Sequence, residues 1–93
     1  MRSYPSEYQE YISELYPDYF LTYGMNGEDI RRLQMFLYKI CKNKNNIPGV
    51  RVNGTFDDLT LKSIYKLQKD FGLDENGIVG PLLWKRIVEL SKE

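Results

Sequence analysis

One motif in this chain is written twice, and the second copy overlaps the first. Ile30-x-x-Leu33-Gln34-x-x-Leu37 returns 34 residues later as Ile64-x-x-Leu67-Gln68-x-x-Phe71. Asn53-Gly54-Thr55-Phe56 returns 23 residues later as Asn76-Gly77-Ile78-Val79, and the same offset carries Leu59 to Leu82, Ile64 to Ile87 and Leu67 to Leu90. The unit is helix, Asn-Gly turn, helix, used twice with the middle helix shared. Such a unit cannot bury its apolar face alone, so the copies must pack on one another. The first copy carries 11 more residues before its turn, and these fall in the polar loop at residues 42–52.

Period and punctuation place the elements. Ile30, Leu33, Leu37, Ile40 and Cys41 form the apolar face of a helix from residue 28 to about 42, with Glu28 and Asp29 in the first turn, where the helix dipole favours acids. Asp57 or Asp58 caps a second helix that runs to Phe71 with Ile64, Leu67 and Phe71 as its buried line, and Gly72 stops it. Pro81 opens a third helix carrying Leu83, Trp84, Ile87 and Leu90. Val50, Val52 and Phe56 alternate around the first turn and suit a short extended stretch. Upstream, Tyr4, Tyr8, Tyr11, Leu15 and Tyr19 step by three and four. With Ser6 and Gln9 as a capping box and Pro17 as a stop, residues 6–15 read as an extra short helix.

Asn-Gly suits a turn with positive φ, which Gly adopts freely and Asn better than most residues. Gln34 and Gln68 lie beside the apolar lines, where a carboxamide must find partners. Each is expected to clamp a turn to its helix, a structural role. Gln68 is expected to be the more tightly coupled, since eight residues separate it from its turn.

Composition narrows the function. Ninety-three residues, 42% hydrophobic and 28% charged, make one globular domain. Thirteen basic residues balance thirteen acidic ones. That argues against nucleic acid, which needs a clustered excess of Lys and Arg, and gives no reason for an anionic membrane partner. A neutral, zwitterionic or locally charged ligand fits better. With no basic stripe apparent along the chain, binding is expected to change little with salt. Histidine is absent and Cys41 is the single cysteine, which removes a disulfide within these residues, His-based triads and bases, and most zinc sites. No cofactor and no metal is expected. No apolar run approaches the roughly 20 residues of a membrane span. Met1-Arg2-Ser3-Tyr4-Pro5 lacks a signal-peptide core, which leaves another export route or a place in a longer chain.

Leu33-Gln34, Val52-Asn53-Gly54-Thr55-Phe56, Leu67-Gln68, Gly72-Leu73 and Asn76-Gly77-Ile78-Val79-Gly80-Pro81 with Trp84 together resemble the peptidoglycan-binding domain family, over about residues 24–90. The run from Gly77 to Pro81 with Trp84 is the most specific part. Asn53 and Asn76 stand where the family usually has Asp, Asp57 where a second Gly closes the first turn, and Leu83 where Thr commonly precedes the Trp. The resemblance implies an all-α three-helix bundle, non-catalytic, that anchors cell-wall hydrolases and other surface proteins to bacterial peptidoglycan. It implies an extracellular or cell-wall location. The domain is then residues 24–93, behind a tyrosine-rich segment at 1–23. The ligand, stem peptide or glycan, is expected in a shallow groove between the helices and the two turns. Turn backbone amides, Arg51, Asn53, Gly54, Asn76, Gly77 and Trp84 are its expected contacts. A catalytic domain in the same longer chain is a further expected partner. The alternative is the same fold serving protein interaction or a structural role, which the altered turns and the tyrosine segment favour.

Other features have plainer readings. The tyrosine stripe could stack on sugars, but its amphipathic spacing fits helix packing better. Trp84 fits the core with at most an exposed edge, and Cys41 fits an inert buried thiol. Asp74-Glu75-Asn76-Gly77 lacks the remaining ligands of a calcium loop and reads as a turn. Asp57 and Asp58 could be a carboxylate pair, but sit where caps belong, with no His nearby.

Overall fold

The computed structural model of the chain describes residues 14–44 and 47–93. Among these residues the architecture is all-α, with three helices and no strand beyond two isolated bridges. Helix α1 spans Glu28–Lys44, α2 spans Asp58–Asp70 and α3 spans Pro81–Ser91. Of the extra helix expected over residues 6–15, only Glu14 and Leu15 are described, and the tyrosines before residue 14 lie outside the described residues.

Each helix begins where local chemistry starts one. Asp57, in extended conformation, accepts from the Thr60 amide at 3.0 Å and caps α2. Pro81 follows Gly80 and needs no amide partner in the first turn of α3. At the end of α2 the Leu73 amide bonds back to the Gln68 carbonyl at 2.8 Å, and Gly72 takes φ +71° to let the chain reverse.

The core is made by α1 and α3, which pack directly on each other, and by one line of α2. Ile30, Leu33, Phe36, Leu37 and Ile40 meet Leu83, Trp84, Ile87 and Val88, with Ile64 and Leu67 from α2. Both turns add an apolar plug at the same place in the repeat, Phe56 in the first and Val79 in the second, each fully buried. Phe71, Leu90 and Cys41 are only half-buried, because they fall at helix ends or at the edge of the apolar face. The thiol of Cys41 is therefore partly exposed rather than sealed in.

The core also reaches into the tyrosine-rich segment, across the expected boundary at residue 24. Leu21 is fully buried and exchanges backbone bonds with Val79, at 3.1 and 2.9 Å. Tyr16 packs edge-on to Trp84, with ring centroids 6.1 Å apart. Arg32 of α1 donates to the Leu15 carbonyl at 2.8 Å and lies over the Trp84 ring. Residues 14–23 thus cover the seam between α1 and α3.

Candidate functional site

The first turn is built around Gln34. Its Nε2 donates to Thr55 O at 2.7 Å, Thr60 Oγ1 at 3.0 Å and Asn53 Oδ1 at 3.1 Å. Its Oε1 accepts from the amides of Gly54 at 2.8 Å and Asn53 at 3.0 Å. The Asn53 side chain closes a local turn by accepting from the Thr55 amide at 3.0 Å. One buried carboxamide thereby joins α1, the turn and the start of α2. Burial pushes the Asp57 carboxyl up, but bonds from the Thr60 hydroxyl and amide and from Asn53 outweigh it and hold the group below 3.8.

The second turn repeats the plan with fewer bonds. Gln68 Nε2 donates to Asn76 Oδ1 at 2.9 Å and Ile78 O at 3.2 Å, while Oε1 accepts from the Gly77 amide at 3.0 Å. Asn76 Oδ1 also accepts from the Ile78 amide at 2.9 Å. Gly77, at φ +74°, is pressed against α2: a Cβ there would lie 2.7 Å from Leu61 Cδ1 and 3.2 Å from Tyr65 Cε1.

A short stretch laces the turns together. Leu21 bonds Val79, the Gly24 amide and the Met25 carbonyl bond Phe56, and the Gly27 amide bonds Gly54 O at 2.8 Å. Six residues separate the outer contacts, so the two turns lie within about 20 Å of each other.

This lacing bears on the expected contacts. The amides of Asn53, Gly54, Thr55 and Phe56, and those of Gly77, Ile78 and Val79, all have acceptors inside the domain. They do not face outward as ligand donors, because two glutamines, two asparagines and residues 21–25 already occupy them. Gly77 is buried. Trp84 is 2% exposed, and its Nε1 donates to the Glu14 carbonyl at 2.7 Å. Arg51, Asn53 and Asn76 remain at the surface, the two asparagines with their oxygens turned inward to the glutamines.

Two surface grooves border the turns. One, of about 300 Å³, lies beside the second turn and is walled by Phe20, Leu73, Asp74, Asn76, Ile78 and Leu82. The other, of about 370 Å³, runs along the outer face of α1 to Val52, past Arg31, Met35, Tyr38, Lys39 and Lys42. Three cations thus share one face of α1, so the molecule does carry a basic stripe. The linear sequence shows it only when residues 31, 35, 38, 39 and 42 are placed on the side of the helix opposite Leu33, Leu37 and Ile40.

The fold and its motifs have counterparts among known proteins. The family described as "Putative peptidoglycan binding domain" matches residues 26–87, which include both turns and both glutamines. An uncharacterised protein from the bpoA1 3′ region of Kitasatospora aureofaciens is 37% identical over 67 residues, covering 72% of this chain and 53% of the relative. The chain thus spans about half the length of that relative. The crystal structure of the SleB N-terminal domain superposes with a TM-score of 0.69 at 25% identity, over 83% of this chain and 99% of that one.

Proposed function

The chain belongs to the peptidoglycan-binding domain family, and from that premise we propose that it holds bacterial peptidoglycan without cutting it. In this role it keeps an attached or partner cell-wall hydrolase or surface protein at the wall. The observation that carries the proposal is the family match over residues 26–87, the stretch in which two clamped turns hold three helices in one arrangement. A rigid scaffold with shallow grooves suits retention more than chemistry. The carboxylate nearest the first turn, Asp57, is spent on capping α2, and the chain has no histidine to serve as a base. Arg51, Asn53 and Asn76 are the surface groups that the turns leave to a ligand.

Co-sedimentation with purified insoluble peptidoglycan tests the proposal. The 93-residue chain is expected to pellet with the wall and to release no soluble sugar or peptide. Steady release of fragments would show an active site, and failure to pellet with the fold intact would end the wall-binding assignment. A second use on the same fold, contact with a protein partner, is favoured by Phe20 and Leu82, which are 64% and 58% exposed in the groove beside the second turn.

A further inference from the structure

We infer that the groove on the outer face of α1 is the subsite for the carboxylate-bearing stem peptide of the wall, not for its glycan. The inference rests on the wall-binding proposal above and names the part of the polymer that is read. The buried side of α1 faces the core through Ile30, Leu33, Leu37 and Ile40. The opposite side leaves Met35 and Tyr38 substantially exposed, with Val52 beside them. A strip of apolar side chains in water is thus edged by Arg31, Lys39 and Lys42.

Charge decides what fits there. Among the described residues no aspartate or glutamate lines this groove, although the chain as a whole is neutral. Glu28 lies 3.8 Å from Arg31 as a loose, well-exposed pair. The Lys39 ammonium rests 5.7 Å from the Phe36 ring, held against the helix. Among the described residues Lys42 has no ion-pair partner. Glycan strands of peptidoglycan are neutral once the lactyl carboxyl is joined to the peptide. The stem peptide carries free carboxylates beside the methyl groups of its alanines. Carboxylates meet the cations in charge-assisted hydrogen bonds, while methyl groups lie on Met35, Tyr38 and Val52. A volume of about 370 Å³ is at the small end of ligand-sized clefts and suits a short peptide segment.

The test titrates the isotope-labelled 93-residue chain with three probes. These are an N-acetylated stem tetrapeptide, the same peptide with every carboxyl amidated, and peptide-free glycan strands. The stem peptide is expected to move amide resonances along α1 and at Val52, while the other two leave them in place. Lys39→Glu combined with Lys42→Glu should weaken stem-peptide binding about tenfold or more, the loss expected for charge-assisted bonds. Lys62→Glu, an exposed cation on α2, should not. Raising salt from about 0.01 M to about 1 M, which shortens the Debye length from about 30 Å to about 3 Å, should weaken it too.

Equal binding of the amidated peptide overturns the inference. So do shifts that gather at Phe20 and Leu82, or a response of α1 to glycan in place of the peptide. The two proposals fail separately. If the double variant pellets fully with the wall, the α1 subsite is wrong and wall binding stands. If the native chain does not pellet but free stem peptide still shifts α1, wall binding fails and the peptide site stands.

Discussion

Gln34 and Asn53 hold each other by two bonds: Gln34 Nε2 donates to Asn53 Oδ1 at 3.1 Å, and the Asn53 backbone N–H donates back to Gln34 Oε1 at 3.0 Å. The same Oε1 takes the next amide, Gly54, and the same Nε2 reaches across to Thr60 on α2. Gln68 makes three of the matching contacts at the second turn but lacks counterparts of the Thr60 bond and of the bond from the Asn53 backbone amide.

Removing these amides should therefore be unequal in effect. Gln34→Leu strands buried donors and acceptors on three segments and is expected to destabilise the domain by about 2–3 kcal/mol, with Gln68→Leu somewhat less, at about 1–2 kcal/mol. Urea denaturation at neutral pH measures both. Equal midpoints for the two variants and the native chain would show that the clamps contribute nothing. A larger loss at Gln68 would reverse the order drawn from the bond geometry.

The two turn glycines also differ. Both sit at positive φ, +79° at Gly54 and +74° at Gly77, so alanine at either position meets a backbone penalty of about 1–2 kcal/mol. At Gly54 the added methyl group would meet only Gly27 O at 3.5 Å, an ordinary contact. At Gly77 it would press on Leu61 and Tyr65, so Gly77→Ala should lose roughly 1 kcal/mol more than Gly54→Ala. Thermal melts of the pair decide it, and identical shifts would mean that α2 yields freely.

Leu21 ties the tyrosine-rich segment into the core. Truncating a fully buried leucine costs about 2–5 kcal/mol, so Leu21→Ala should lower stability by that order, as much as a helix core position such as Leu33→Ala. A chain started at residue 24 should lose at least as much, because the bonds to Val79 go with the side chain. Denaturation curves of the shortened chain check this; unchanged stability would place residues 14–23 outside the cooperative unit.

Acid should loosen the domain through two carboxylates. Burial raises the Asp29 carboxyl, but hydrogen bonds from Tyr19 and Arg32 and the charge of Arg32 outweigh it and bring the group below 3.8, as happens at Asp57. A depressed folded value means stability that is complete above the unfolded value and is lost as pH falls through the folded one. The loss should appear below pH 3.8. Asp57→Asn, which keeps a capping oxygen, should flatten that limb. Tyr19 supplies the opposite sign: its bond to Asp29, with burial and the Asp29 charge, raises its phenol above 10.0, so its contribution fades as pH rises beyond that value. Melting temperature against pH reads both limbs, and a flat acid limb in the native chain would refute the assignment.

Much of this was legible in the residues. Period, acidic first turns, Asp57, Gly72 and Pro81 mark all three helices to within a few residues of where they lie. The repeat pointed to both Asn-Gly turns and to the glutamines beside them. What stayed hidden depends on partners distant in sequence. Leu21 sits among residues with no helical period, so nothing local marks it as core. The amides of Phe56 and Val79 looked free because their acceptors arrive from Met25 and Leu21, more than 30 residues earlier in the chain. Trp84 looked like a ligand position because its indole partner is a backbone carbonyl 70 residues away. The basic face of α1 vanished in the neutral total, since Glu28 and Asp29 precede Arg31 in the chain while Lys39 and Lys42 rise two turns further along the helix.

The bond from Trp84 to Glu14 also sets an order of events during synthesis. Glu14 leaves the ribosome long before Trp84, and Leu21 long before Val79, so the early segment has no native partner while α1 and α2 emerge. Local helix can form in that interval, but closure across 70 residues waits for the last helix. Until α3 docks, Ile30, Leu33 and Leu37 face water, and the nascent chain presents the surface that proteases and chaperones recognise. This module becomes resistant to them all at once, when α3 docks.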